Sequence, residues 1–212
     1  MELLDAITQR KTIKLFQRGV SIPRETLSEM LSLAQLAPSK ANLQPWRFVV
    51  VDEAEQKNQL TDIVAFNGPP CESASAVIIV LADLQYDRLF EAIIDTSIEQ
   101  GCLHQGFKQP GLNFMNQMHS ALNAQEIREQ VCIDTSLAAM QLMLIAKEKG
   151  YDTHAIGIFD KSAVMQRFAI DSERYVPIML IAIGKAAVPP IPSARLALDY
   201  TVSWNNGNGF KA

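Results

Sequence analysis

Four neighbouring residues near the N-terminus carry groups that could bind an anion. Arg10, Lys11 and Lys14 place three cations around the hydroxyl of Thr12. Cations and hydroxyls hold phosphate and polyol oxygens, and a charge-assisted hydrogen bond to phosphate is about twice as strong as a neutral one. A short cluster of charges is more often a solvated face. The cluster alone therefore leaves both an anion site and an ordinary surface open.

A second polar cluster follows between Pro38 and Pro45. Its side chains, Ser39, Asn42 and Gln44, offer hydrogen-bond donors and acceptors from a turn that the prolines stiffen. Loops of this kind, held on a rigid scaffold, present polar groups to heteroaromatic ligands. The alternative is a plain connection between a helix and a strand, capped by its own side chains. Taken in isolation, the loop favours that alternative.

The spacing of apolar residues predicts the elements on either side of this loop. Leu27, Met30 and Ala34 repeat at helical intervals, which predicts a helix over residues 23–37. The β-branched run at residues 47–51 predicts a short strand. The polar loop is therefore expected to join a helix to a strand.

Two uninterrupted apolar runs, residues 76–82 and 178–183, have the length of strands. Strands that are apolar on both sides are covered on both faces, a pattern typical of parallel sheets with helices above and below. The runs therefore predict a buried sheet between two layers of helices, with its strands parallel.

Residues 124–149 predict a long helix. Gly150 is a natural residue to follow its last turn, in which Lys147 and Lys149 are favourably placed. Apolar residues go most of the way round this helix, so it must be buried on nearly every face. It is either the central helix of a monomer core or a helix packed across a subunit interface, and its own sequence leaves both open.

Composition excludes several classes of function. A chain of 212 residues, 48% hydrophobic and 20% charged, suits one folded, soluble domain. The net charge of −4 and the lack of a lysine or arginine run argue against nucleic acid as a partner. The apolar runs are far shorter than the roughly 20 residues of a membrane helix. Glu2 and Asp5 also make the start of the chain unlike a signal peptide, so we expect neither membrane insertion nor export.

The cysteines, Cys71, Cys102 and Cys132, are odd in number and widely spread. That pattern suits the reduced thiols of a cytoplasmic protein better than a disulfide framework. Cys102 and His104 stand two apart, but no second close pair of ligands completes a zinc site. We therefore expect a cytoplasmic protein without a metal centre.

Together, the two polar clusters resemble those of the nitroreductase family of FMN enzymes. Its members open with an arginine, a basic residue, a serine and a second basic residue followed by phenylalanine. They later carry a loop with proline-serine, asparagine and glutamine-proline-tryptophan. The matching residues here are Arg10, Lys11, Thr12, Lys14 and Phe16, then Pro38, Ser39, Asn42, Gln44, Pro45 and Trp46. Because the similarity extends over nearly the whole chain, we identify it as a member of this family.

The resemblance implies a site for the phosphate and the adjoining flavin edge. Its N-terminal residues are Arg10, Lys11, Thr12 and Lys14, where Thr12 keeps the hydroxyl of the usual serine. Near the C-terminus, Arg195 matches the arginine of a phosphate-binding lysine-x-arginine. Ser193 has replaced the lysine, so phosphate binding is expected to depend more on Arg10 and Arg195.

The resemblance also implies contacts to the flavin ring. Asn67 matches an asparagine near the flavin, but Pro70 stands where a lysine often follows. Residues 155–160 are similar to a segment whose backbone N–H groups point at the ring. Gly157 there allows close backbone approach, whereas Ile158 replaces a glycine and is expected to shift one contact. Read alone, this segment is a strand end with a turn.

The implied architecture is an α+β fold, a three-layer α/β/α sandwich around a mixed, mostly antiparallel sheet, in an intertwined homodimer. Pro38, Ser39 and Asn42 would reach the FMN bound mainly by the other subunit, which favours the interface interpretation of the long helix. Residues 1–212 would form one domain. Its Pro-, Gly- and Asn-rich end, residues 189–212, would be a C-terminal arm that wraps the partner.

The implied activity is transfer of hydride from NADH or NADPH, through the flavin, to a nitroaromatic, a quinone or a similar small acceptor, with no catalytic acid or base. Because the sequence has no glycine-rich dinucleotide fingerprint, donor and acceptor are expected to share one site in a ping-pong cycle. His104 and His119 are expected to be structural or on the surface, and His154 to be either structural or a substrate contact. The alternatives are a protein that stores or senses FMN without turnover, and another superfamily reaction such as reductive dehalogenation.

Overall fold

Eight α-helices and four β-strands lie within residues 1–211, the part of the chain that this computed structural model describes. The strands are β1 (Trp46–Val51), β2 (Ala76–Asp83), β3 (Asp152–Ile156) and β4 (Tyr175–Gly184). The helices are α1 (Leu3–Gln9), α2 (Arg24–Ala34), α3 (Ala54–Asn58), α4 (Gly68–Ser73), α5 (Phe90–Glu99), α6 (Lys108–Ser120), α7 (Ala124–Glu148) and α8 (Lys161–Arg167). Short 3₁₀ turns lie at Lys40–Asn42, Ala65–Asn67, Tyr86–Leu89, Gln105–Phe107, Leu198–Tyr200 and Gly207–Gly209.

The strands form one sheet in the order β1-β2-β4-β3, and every neighbouring pair is antiparallel. Ile78 in β2 pairs with Val50 on one side and with Ile181 on the other. The parallel arrangement expected for the two apolar runs is therefore wrong, because those runs are β2 and β4 and they pair antiparallel. The α+β class and the mostly antiparallel sheet implied by the resemblance are confirmed.

Helices cover both faces of this sheet, which is why its central strands are apolar on both sides. Val77 and Ile79 point into a core that includes residues of α4 and α8. Ile78 and Val80 point the other way, into a core that includes residues of α2 and α7. Burial on both faces thus follows from the helix layers and does not depend on strand direction.

The elements around the polar loop are confirmed with small shifts. The helix predicted over residues 23–37 is α2, which ends at Ala34 and is followed by a turn before Pro38. Pro38 disfavours the helical conformation for the residue before it, Ala37, so α2 ends earlier than predicted for a local reason. The strand predicted at residues 47–51 is β1, which begins one residue earlier at Trp46.

The predicted long helix is α7, and both of its ends are fixed locally. Asn123 and Glu126 form a capping box at its start. Gly150 follows its end with a left-handed φ of 76°, a conformation that glycine adopts without the steric cost of a Cβ. One face of α7 packs on the sheet. The opposite face exposes a stripe of apolar side chains, Ile133, Leu137 and Met140, at helical spacing.

Two parts of the chain lie beside the sandwich. Between β2 and α7, the helices α5 and α6 pack around Tyr86, Phe90 and Met115 in a third core. After β4, residues 189–202 are exposed and the chain continues as an arm with only short 3₁₀ turns. None of the helices described is both long and apolar enough to cross a membrane.

Candidate functional site

The basic N-terminal segment runs along the outer edge of the sheet, beside β3. Thr12 forms a parallel bridge with Thr153, and the Ile13 N–H donates to the Thr153 carbonyl oxygen at 3.1 Å. Ile13 and Phe16 are buried, whereas Thr12 and Lys14 are exposed. In an extended segment, neighbouring side chains point to opposite sides. The hydroxyl and the ammonium group are therefore presented to the surface while Ile13 holds the backbone in place.

His154, a residue of β3, holds this segment against the strand by a hydrogen bond. Its side chain is buried, and its Nδ1 lies 2.9 Å from the Ile13 carbonyl oxygen, so the neutral ring donates a hydrogen bond there. Burial, helped by the nearby Lys14 ammonium, holds the pKa of His154 below its usual value. The residue is thus placed as an uncharged structural donor beneath the site.

Three buried polar atoms near this edge make no hydrogen bond within residues 1–211: Arg10 Nε, Asn67 Oδ1 and Thr153 Oγ1. Asn67 is only 4% exposed and ends a 3₁₀ turn that begins at Ala65 with a left-handed φ of 49°. Leaving a buried donor or acceptor unpaired costs about 1–3 kcal/mol. A ligand that carries both donors and acceptors would satisfy these atoms, so the residues fit such a group.

The segment after β3 reaches the same place. Gly157 and Ile158 directly follow the end of the strand, and Ile158 is 62% exposed. A Cβ built on Gly157 would meet no atom within 4 Å, so the space beside its backbone is open. Farther on, the Asp160 N–H donates to the Ile63 carbonyl oxygen at 2.8 Å. This bond ties the segment to the stretch of chain that leads to Asn67.

Lys14 connects the basic segment to that stretch as well. Its Nζ lies 5.8 Å from the centre of the Phe66 ring, and Phe66 is 69% exposed. The structure therefore brings Arg10, Lys11, Thr12, Lys14, Asn67, Gly157 and Ile158 to one edge of the sheet. Around them it leaves a surface that is both basic and apolar.

The polar loop before β1 has an unusual backbone. Ala41, Asn42 and Gln44 have left-handed φ values of 48°, 59° and 48°. The Gln44 N–H donates to Ser39 Oγ at 3.0 Å, and Gln44 Nε2 donates to the carbonyl and side-chain oxygens of Asn42 at 3.2 Å. Ser39 and Gln44 thus cap the loop itself, as the alternative interpretation expected, while Asn42 and Pro38 remain exposed.

Charged residues outside the loop support it, and the sequence alone did not indicate them. Arg47 donates to the Gln44 carbonyl oxygen at 2.9 Å and to Asp83 at 2.9 Å. Arg174 donates to Asp83 at 2.7 Å. Burial opposes ionisation of Asp83, but the hydrogen bonds from Arg174 and Gln85 and the charge of Arg47 hold its pKa below the usual value. Asp83, an acidic residue at the end of the apolar run of β2, was the feature of the sequence that could have indicated these supporting contacts.

The loop and the basic segment lie at opposite edges of the sheet. The loop precedes β1, while the basic segment runs beside β3, three strand positions away. At about 4.8 Å per strand, the separation is at least roughly 14 Å. A single chain therefore does not bring Pro38, Ser39, Asn42 and Gln44 to the edge that carries Arg10 and Asn67.

Arg195 also stands apart from the β3 edge. It is exposed on the arm, where its guanidinium donates to the Ala194 carbonyl oxygen at 2.8 Å and to Ser193 Oγ at 3.3 Å. The arm leaves the molecule beside the basic segment, where Lys11, Ile13 and Pro189 line a cleft of about 570 Å³. The arm therefore starts at the site, although Arg195 makes no hydrogen bond to it.

The other histidines lie away from this edge. His104 caps the turn at Gly106, and His119 Nδ1 lies 3.1 Å from the Tyr86 hydroxyl. Within the described part of the chain, no group of three His, Cys, Asp or Glu side chains is placed to hold a metal ion.

Comparison with known proteins assigns this arrangement to a family. The model of the nitroreductase family matches residues 7–185. A Bacillus subtilis protein named "Putative NAD(P)H nitroreductase YdgI" is 38% identical over 203 residues, which are 96% of this chain and 97% of that protein. The "CLA biosynthesis enone reductase" of Lactiplantibacillus plantarum is 33% identical, over 92% of this chain and 90% of that protein.

A solved structure agrees with the sequence relatives. The crystal structure described as a "putative nitroreductase in complex with FMN", from Exiguobacterium sibiricum, has a TM-score of 0.94 and 35% identity. The match covers 97% of this chain and 98% of that one. This chain therefore belongs to the nitroreductase family.

Proposed function

We propose that this protein is an FMN-dependent oxidoreductase that takes electrons from NADH or NADPH and passes them to a nitroaromatic, a quinone or a similar acceptor. The observation that carries the proposal is the β3 edge, where the basic segment, the unpaired Asn67 side chain and the open backbone at Gly157 meet. The relatives named as NAD(P)H nitroreductases and the FMN-bound crystal structure support it.

In this proposal, several segments share the binding of FMN. The phosphate and ribityl oxygens are bound by Arg10, Lys11, Thr12 and Lys14, joined by Arg195 when the arm folds back over the cleft. The flavin ring is met by Asn67, Gly157 and Ile158. When bound, FMN supplies the chemistry of accepting and releasing hydride. The protein supplies charge, hydrogen bonds and an open face at which the substrates bind.

The remaining FMN contacts come from a second copy of the chain. Pro38, Ser39, Asn42 and Gln44 cannot reach the β3 edge of their own chain, but in a homodimer they contact the FMN of the partner. This geometry makes dimer formation a condition for a complete site.

Two apolar surfaces support the dimer. The stripe Ile133, Leu137 and Met140 on α7 lies beside a groove of about 580 Å³ that is lined by Leu33 and Leu36. In the arm, the large apolar side chains of Leu196, Leu198 and Trp204 are 69%, 74% and 82% exposed in a single chain. Exposed apolar side chains that form a patch are typical of a surface that a partner covers. In the dimer, the partner covers the stripe and holds the arm.

The acceptor is flat and apolar rather than strongly charged. Phe66 and Ile158 are exposed beside the residues assigned to FMN, at 69% and 62%. Covering exposed apolar side chains with a ligand is favourable because it removes apolar surface from water. An extended conjugated acceptor such as a quinone suits these walls, and the enone reductase relative supports the same chemical class.

Anaerobic mixing of the FMN-loaded protein with NADH or NADPH tests the proposal. Either nicotinamide should bleach the yellow flavin, and added quinone should restore the colour and continue through many turnovers. A colourless protein that does not take up FMN in an equilibrium titration would overturn FMN binding itself. A yellow protein that neither nicotinamide bleaches would instead be a storage or sensing protein.

A further inference from the structure

The loop of residues 38–44 has to be held by something beyond itself. Three of its residues adopt left-handed φ values, and such backbone costs on the order of 1–3 kcal/mol per residue unless the surroundings enforce it. Leu43 anchors the loop by burial, and Arg47 holds its far end through the Gln44 carbonyl oxygen. Neither of these contacts fixes the turn at Lys40, where the 3₁₀ segment begins.

A carboxylate from α7 meets the loop at that point. Asp134 Oδ2 accepts a hydrogen bond from the Lys40 backbone N–H at 3.2 Å. Asp134 is only 5% exposed, so an acidic side chain has been buried next to this turn. Burial raises the pKa of Asp134, and the Lys40 N–H and the Lys40 charge oppose that rise. When ionised, the carboxylate makes a stronger bond to a backbone N–H than a neutral acceptor does.

The surroundings of Asp134 offer few other partners. Gln130, one turn earlier on α7, has both side-chain polar atoms buried, and it lies beside Tyr86 rather than donating to Asp134. Burial, Asp87 and Asp134 raise the pKa of the Tyr86 phenol, against the opposing effect of a hydrogen bond from Gln130. The hydrogen bond to Lys40 N–H is therefore the best reason for a carboxylate at this position.

We infer that Asp134 is a positioning residue that holds the loop of residues 38–44 in the shape needed to contact the FMN of the partner subunit. This inference rests on the proposed function. Asp134 follows Ile133 of the exposed stripe, so one turn of α7 both faces the proposed dimer interface and fixes the loop. Asp134 itself touches no substrate and does no chemistry.

Two substitutions remove this hydrogen bond from opposite sides. Asp134→Ala removes the acceptor. Lys40→Pro removes the N–H, and Ser39 is extended, with φ −140° and ψ 155°, as a residue before proline prefers. Because the proline Cδ takes the place of the amide hydrogen and presses on the Asp134 carboxylate, Lys40→Pro is also measured in the Asp134→Ala background, where that contact is absent. Lys40→Ala is the matched control, because it shortens the same side chain but keeps the N–H. Asp134→Asn keeps an oxygen that can accept the bond.

The experiment is equilibrium titration of FMN into each purified apoprotein, with dimer content measured by sedimentation. Asp134→Ala should weaken FMN by about tenfold relative to the natural protein, and Lys40→Pro by about tenfold relative to Lys40→Ala, as for loss of a charge-assisted bond. The double variant should be no weaker than the worse single one, because both remove one interaction. Asp134→Asn should recover most of the affinity, and all variants should remain dimers.

Several results would overturn the inference while leaving the proposed function intact. The natural protein would bind FMN, but Lys40→Pro would match Lys40→Ala, or the two losses would multiply in the double variant. If Asp134→Ala does not fold, Asp134→Leu replaces it, since leucine has a similar branched shape and no acceptor. A natural protein that binds no FMN would overturn both the inference and the proposed function.

Discussion

Three polar side chains at the β3 edge are buried with an atom left unpaired. Arg10 Nε, Asn67 Oδ1 and Thr153 Oγ1 make no hydrogen bond in the described part of the chain. Elsewhere in the same region, buried polar groups are paired, as His154 is with the Ile13 carbonyl oxygen. Because unpaired buried groups are costly, a ligand that paired with the three at this edge would be bound more tightly.

Arg195 provides a direct test of the phosphate site. Within residues 1–211 its side chain makes hydrogen bonds only to Ser193 and Ala194, so its removal should leave folding unchanged. If it binds the FMN phosphate, Arg195→Ala should lose about 1.5–3 kcal/mol, or roughly ten- to hundredfold in affinity. Arg24→Ala, which breaks an exposed ion pair with Asp52, is the control and should bind FMN normally. Unchanged affinity in Arg195→Ala would place the phosphate elsewhere.

His154 predicts a pH dependence of stability. Burial and Lys14 hold its pKa below the usual value, so the unfolded chain binds a proton more readily than the folded one. Stability should therefore be full above about pH 6.5, the ordinary histidine value, and fall as the pH drops below it. Thermal unfolding of the apoprotein between pH 7.5 and pH 5, about these limits, measures the slope. His154→Gln should flatten it, whereas His104→Gln at an exposed site should not.

The sequence indicated the basic N-terminal residues of the proposed site, but not the buried acidic residues that hold the loop of residues 38–44. Arg10, Thr12 and Lys14 are close in sequence, so their clustering was visible without a structure. The contacts of Asp83 with Arg174 and of Asp134 with Lys40 span about ninety positions and depend on how elements pack. A buried acid within an apolar stretch was the only visible signal for either one.

At the scale of elements, the burial of a strand was predictable and its direction was not. The runs at residues 76–82 and 178–183 are strands buried on both faces, but antiparallel ones. Apolar residues on both sides of a strand indicate that helices cover both faces of the sheet, and this holds for parallel and antiparallel strands alike. Only the end of β3 was predicted, as a strand end at residues 155–160, because Asp152, Thr153 and His154 lack the apolar pattern of a whole strand.

The exposed face of α7 makes a prediction about the whole helix. Leu137 is 44% exposed in a single chain, so Leu137→Asp should cost little in a monomer beyond helix propensity, at most about 0.7 kcal/mol. In a dimer packed through this face, it would bury an unpaired charge, which costs several kcal/mol. Sedimentation should show monomers, and FMN affinity should fall with them.

Ala54→Asp supplies the control, because Ala54 is exposed at the start of α3, in the other helix layer. That variant should remain dimeric and bind FMN as the natural protein does. If Leu137→Asp also stayed dimeric with full FMN affinity, the interface would lie on another face of the molecule. A monomer that still binds FMN tightly would contradict the proposal that two subunits share each site.

At the scale of the whole molecule, the sheet separates the two halves of the proposed FMN site. The basic segment lies beside β3 and the loop of residues 38–44 precedes β1, so each chain carries halves that it cannot join. Two copies related by a twofold axis would join them twice, giving two equivalent sites. FMN bound across both chains would then stabilise the dimer by mass action.

The absence of a second nucleotide-binding fingerprint leads to the last prediction. The sequence contains no glycine-rich dinucleotide motif, so NAD(P)H is expected to use the same open face as the acceptor. If the two substrates cannot bind together, the oxidised nicotinamide must leave before the acceptor enters. Double-reciprocal plots at several fixed acceptor concentrations should then give parallel lines, and each substrate should inhibit competitively against the other at high concentration. Intersecting lines, or a complex trapped with both substrates bound, would reveal a second pocket in the dimer.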